Sequence, residues 1–167
     1  DSSYASKDDA SVASNGKSSL LANDVLSANA SVTSAANKSI STQFFSDLDT
    51  LKKHINQIKE ASVRVNDLTQ ETILATSNEK ESELSTEINP LIEDTNRKGM
   101  YSKKLLQALK EQAQKIEEPQ EQRIRKTLLD TLTRKFVEVM KGYQQAQAKY
   151  KTEITKKAKR QVQIVKP

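Results

Sequence analysis

The chain has 167 residues, with 27 Lys and Arg against 22 Asp and Glu, three Gly, three Pro, one His and no Cys or Trp. That composition excludes a disulfide scaffold and a cysteine-based metal site, and no apolar run is long enough to cross a bilayer. Few Gly and Pro beside many Lys, Glu, Gln, Leu and Ala predict long helices with short joints.

Residues 1–39 hold 11 Ser, 8 Ala and 4 Asn, with Tyr4 the one aromatic. Such a stretch buries too little apolar surface to offset its ordering entropy and reads as a flexible tail. Gly16-Lys17-Ser18 echoes the end of a phosphate-binding loop. It lacks the leading Gly and a preceding strand, so it carries no nucleotide site.

From residue 40 the apolar period is helical. Phe44, Leu48, Leu51, Ile55, Ile58, Ser62, Val65, Thr69 and Thr72 step by four and three and predict a first helix over 41–75. Asn78 with Glu81 resembles a capping box for a second helix over 79–116. Its stripe reads Leu84, Ile88, Leu91, Thr95, Lys98, Ser102, Leu105, Leu109, Gln112 and Ile116. Pro90 and Gly99 weaken this helix, and a kink or local irregularity is expected at Pro90. The polar stretch Thr95–Ser102 reads either as loose packing or as a layer that adjusts to a partner. Pro119 suits the first turn of a third helix over 120–162, with the stripe Arg125, Leu129, Leu132, Phe136, Val139, Tyr143, Ala146 and Tyr150.

Three such stripes cover one another as an all-α, antiparallel up-down-up three-helix bundle over 40–165, with left-handed coiled-coil-like packing. The expected core includes Phe44, Leu48, Leu51, Ile55, Ile58, Leu105, Leu109, Leu129, Leu132, Phe136, Val139 and Tyr143. Charge is uneven along the chain. Residues 40–119 carry net −3, whereas 120–167 carry 13 basic and 4 acidic groups, net +9. A basic third helix suits an acidic protein face or an anionic membrane; no nucleic-acid motif accompanies it. The run Lys156, Lys157, Lys159, Arg160 reads first as a solvated helix end complementing the C-terminal dipole. The lone His54 has no second ligand, so neither metal, cofactor nor catalysis is expected.

The segments Arg123-Ile124-Arg125-Lys126-Thr127 and Leu132-Thr133-Arg134-Lys135-Phe136-Val137-Glu138-Val139-Met140, followed by Tyr143 and Tyr150, resemble the third helix of syntaxins. The run Phe44-Phe45-Ser46-Asp47-Leu48 through Ile55, Ile58 and Val65 is similar to that family's first helix. The resemblance implies an N-terminal regulatory Habc domain, acting in vesicle fusion on the cytosolic face of a plasma or endosomal membrane. It implies docking of the protein's own SNARE motif, expected beyond Pro167 together with a membrane anchor, and a Sec1/Munc18-type partner. Other SNAREs would be met through that further segment. On this reading Arg125, Lys126, Arg134, Lys135 and Glu138 flank the docking groove between the second and third helices. The alternative is a generic three-helix or spectrin-like scaffold that binds anionic membrane through its basic third helix.

Overall fold

The computed structural model describes residues 41–165; the expected tail over 1–39 lies outside them. Three helices follow in order: α1 Thr42–Leu74, α2 Asn78–Gln114 and α3 Pro119–Val165. Each begins where a side chain takes up free backbone N–H groups. Ser41 Oγ accepts from Phe44 N at 3.1 Å, and Ser77 Oγ accepts from Lys80 N at 3.1 Å. The α2 cap is therefore Ser77, one residue before the expected Asn78. At α3, the Glu118 carboxylate accepts from Gln120 N at 3.1 Å and Glu121 N at 2.6 Å. Pro119 follows at the position where a missing N–H costs nothing.

Pro90 sits inside α2, which runs unbroken through it. The proline leaves the Thr86 carbonyl without its helical donor, but both residues are exposed, so water can serve it.

The three helices form a bundle, the fold expected from their stripes. The described residues fall into two compact units, 41–51 with 105–135 and 52–104 with 136–165. The first unit buries Phe44, Leu48, Leu51, Leu106, Leu109, Ala113, Ile124, Leu128, Leu129 and Leu132. The second buries Ile55, Ile58, Val65, Leu68, Leu84, Ile88, Phe136, Tyr143, Ala146 and Tyr150.

The α1 stripe is buried as expected, apart from the half-buried Ser62. The α2 stripe departs after Thr95: the inward residues are Gly99, Ser102, Leu106, Leu109 and Ala113. Leu105, expected in the core, is only half-buried, and so is Val139 on α3. The α2 difference is one of phase. From Thr95 the helix steps four residues before three, so Gly99 replaces Lys98 and Leu106 replaces Leu105. A side chain at Gly99 would meet Met140, whose Cε and Sδ lie 3.0 and 3.1 Å from an ideal Cβ position. The glycine thus admits the thioether of α3 against α2.

The polar positions within the stripes are satisfied. The hydroxyls of Thr69, Thr72 and Thr95 donate to the carbonyls of Val65, Leu68 and Leu91, each at 2.7 Å. The α1–α2 joint is held from α3. Lys157 Nζ donates to the Thr72 carbonyl at 2.6 Å and the Ala75 carbonyl at 2.8 Å, and pairs with Glu81 at 2.8 Å.

Truncating the buried Phe136 to Ala is expected to cost about 3–5 kcal/mol. Urea denaturation monitored by circular dichroism measures it, and a loss below about 1 kcal/mol is incompatible with this packing.

Candidate partner-binding surface

The five polar residues expected beside a docking groove do not share one environment. Arg125 is buried, at 6% exposure, together with Glu121 at 5%. Its Nε and one terminal nitrogen contact the same Glu121 carboxylate oxygen at 2.9 and 2.8 Å. The guanidinium also lies 4.6 Å from the centre of the Phe44 ring. A charge this buried is tolerable only when paired, and a flat guanidinium stacks well on an aromatic face. Arg125 therefore ties α3 to the start of α1 and is not available on a groove flank.

Lys126 is exposed and lines a crevice of about 610 Å³ with Lys110, Ala113 and Gln114 of α2 and Gln122, Arg123, Leu129 and Asp130 of α3. The crevice has an apolar floor and a rim on which three cations outnumber one carboxylate. Lys135 lies nine residues beyond Lys126, about two and a half turns, on the opposite side of α3, and is half-buried. Arg134 and Glu138 are exposed. The sequence reading missed the geometric consequence of the nine-residue spacing.

In the unit formed by 52–104 and 136–165, α2 meets α3 through a polar bond and a close approach. The Tyr143 hydroxyl shares its proton between the Ile92 carbonyl at 3.1 Å and Asn96 Oδ1 at 2.9 Å. Burial pushes its pKa up to about 12. Gly99 faces Met140 beside this bond. Met100 follows Asn96 by four residues and Val137 precedes Met140 by three, so each continues the α2–α3 flank by one turn. Both are more than half exposed, at 61% and 59%. Neither was singled out as a site residue from sequence, because their place beside the Gly99–Met140 approach is set by tertiary packing.

The polar stretch Thr95–Ser102 is well ordered by its bonds. Ser102 Oγ lies 3.3 Å from His54 Nδ1, and the His54 ring packs edge-on against Tyr101 with centroids 5.2 Å apart. Burial, then Lys98 and Lys53, hold the imidazole below its usual pKa. Among the described residues no group of three or more His, Cys, Asp or Glu could hold a metal. No described helix is long and apolar enough to cross a membrane.

The family model of the syntaxins matches residues 38–166. No curated protein gives a significant match. Among solved structures, a chain in the crystal structure of the Unc18–syntaxin 1 complex from Monosiga brevicollis superposes with a TM-score of 0.68 at 24% identity. The match covers 81% of this chain and 67% of that one. At that identity it speaks for the fold.

Two predictions follow from the geometry. Arg125→Ala strands the buried Glu121 carboxylate and should cost about 3–5 kcal/mol, while Arg134→Glu, on an exposed position, should stay within about 0.5 kcal/mol. Equal losses for the two in thermal melts contradict the assignment. For Tyr143, a folded pKa near 12 against about 10 unfolded means that the folded state holds its proton longer. Its contribution is complete below pH of about 10 and is lost as pH rises toward about 12. Tyr143→Phe should lose about 1 kcal/mol at neutral pH and show a shallower fall in melting temperature across that alkaline window.

Proposed function

The chain belongs to the syntaxin family, and on that footing we propose that its bundle docks the protein's own SNARE helix against the α2–α3 side and is engaged by a Sec1/Munc18-type protein. As a syntaxin-family Habc domain it is a regulatory part of a SNARE and not an enzyme. Docking of this kind lays an amphipathic helix into a groove, where apolar anchors supply affinity and flanking charges set register.

The observation that carries the reading is the pair Met100 and Val137, exposed large apolar residues on the α2–α3 flank next to the Gly99–Met140 approach. Polarizable, adaptable Met side chains suit a surface that must accept and release a helix. The crevice at Lys126 offers a second foothold within its own unit, with Leu129 and Ala113 for apolar contact and Lys110, Arg123 and Lys126 for carboxylates. Other SNAREs would engage the SNARE helix once it leaves the bundle. We place the parent protein at the cytosolic face of a plasma or endosomal membrane.

Titration calorimetry of this chain with its SNARE segment, and separately with a Sec1/Munc18-type protein, tests the reading. At least one should bind. Val137→Asp should weaken SNARE-segment binding about tenfold or more, because it places a charge in a desolvated apolar contact, with the melting temperature held. Failure of both ligands to bind the unsubstituted chain refutes the proposal.

A further inference from the structure

The last four turns of α3 carry a surface apart from the Met100 and Val137 flank proposed for the SNARE helix. Between Lys149 and Ile164 there are six cations and one carboxylate. Lys157 alone turns inward, onto the Thr72 and Ala75 carbonyls and Glu81. Lys156, Lys159 and Arg160 are exposed, with only Glu153 beside Lys156, at 3.5 Å. The dipole does not account for this run. The helix continues to Val165 and its last turn holds no basic residue, whereas dipole stabilisation fades within the final turn. Apolar side chains are interleaved with the cations and left in water: Ile154 at 37%, Val162 at 56% and Ile164 at 83% exposure. At about 100° per residue the exposed Lys149, Lys156, Lys159 and Arg160 share one face of α3, whereas Ile154, Ala158 and Val162 lie on the other side, and Ile164, two residues on, points away from Val162.

We infer that this end of α3 lies against an anionic bilayer surface through its basic face, with Lys156, Lys159 and Arg160 pairing with lipid phosphates and carboxylates. A cluster of cations on one helix face is drawn to an anionic leaflet, at about 1 kcal/mol for each cation near the surface. An acidic protein groove would call for apolar anchors among the cations, and the face that carries Lys149, Lys156, Lys159 and Arg160 has none between Lys149 and Arg160. The family is one of membrane-associated proteins, so such a surface is within reach.

Flotation of the full chain with vesicles tests the inference. The chain should float with phosphatidylcholine vesicles containing about 30% phosphatidylserine at about 50 mM salt, not with phosphatidylcholine alone, and should be released as salt rises well above about 150 mM. Each cation near an anionic surface is worth about a fivefold change in partition. Combined Lys156→Glu, Lys159→Glu and Arg160→Glu should therefore lower binding on the order of 100-fold or more, with helicity unchanged by circular dichroism. Val162→Asn, on the other side of the helix, should leave binding within about twofold. Absence of binding to anionic vesicles, equal binding to neutral ones, unaltered binding by the charge-reversed chain, or a loss with Val162→Asn as large as with charge reversal overturns the inference. So does capture by polyglutamate as strong as capture by vesicles, which would mark the segment as a site for acidic protein. SNARE-segment titration of the same charge-reversed chain keeps the two readings apart: it should bind that segment as the unsubstituted chain does.

Discussion

Each of these helices, 33, 37 and 47 residues long, has a single inward stripe and is polar elsewhere, so none can stand in water without the other two. Most helical stability comes from covering such a stripe, and that requirement governs what each position can hold. It explains why threonines occur where leucines would serve. A hydroxyl bonded to the carbonyl four residues back brings its own acceptor, as at Thr69, Thr72 and Thr95. The polar layer on α2 is therefore compatible with tight packing, and its partners Tyr143 and His54 connect it to the neighbouring helices.

How much of this can be read from the sequence depends on how unambiguous the stripe is. In α1 the spacing identifies most of the buried positions and misses Ala61 and Leu68, which lie beside the stripe. In α2 it leaves the phase open. Leu105 and Leu106 are adjacent and equally apolar, so the step pattern can continue in either of two phases. The choice is made by tertiary contact, because Gly99 must face Met140. Propensity and periodicity carry no information about a neighbour's shape. Arg125 carried two readings: the period put it on the inward stripe of α3, where it is buried, and the family resemblance put it on a groove flank, where it is not. Charge normally marks a surface residue, and the pairing with Glu121 and the Phe44 ring is what lets the charge sit at the inward position. The α2 cap was missed by one residue because Ser77 and Asn78 are equally good caps by type.

The inward turn of Arg125 alters how the net charge of α3 should be understood. The first turns of that helix hold their strongest cation in a neutral buried pair, so they add less to the external field than the formal count suggests. At the crevice the field comes from Lys110, Arg123 and Lys126, a short basic rim above apolar floor. That arrangement can orient an incoming acidic helix without demanding a large apolar patch.

The far end of α3 sorts its charges by helical pitch, and this links two events. α1 ends without a basic residue in its last turn, so its final carbonyls need a donor from elsewhere. Lys157 supplies one from a position 85 residues on, and through Glu81 the same ammonium also holds the start of α2. Its neighbours Lys156, Lys159 and Arg160 project away from this joint because they sit on other parts of the turn. A ligand that draws those three outward favours whichever placement of the helix end suits them all. If that placement strains the Lys157 contacts, ligand binding must weaken the α1–α2 joint by the same free energy with which an intact joint opposes the ligand. The surface and the joint are thus coupled through one rigid stretch of helix, and the sign of the coupling is set by whether Lys157 can keep its three acceptors while its neighbours are engaged.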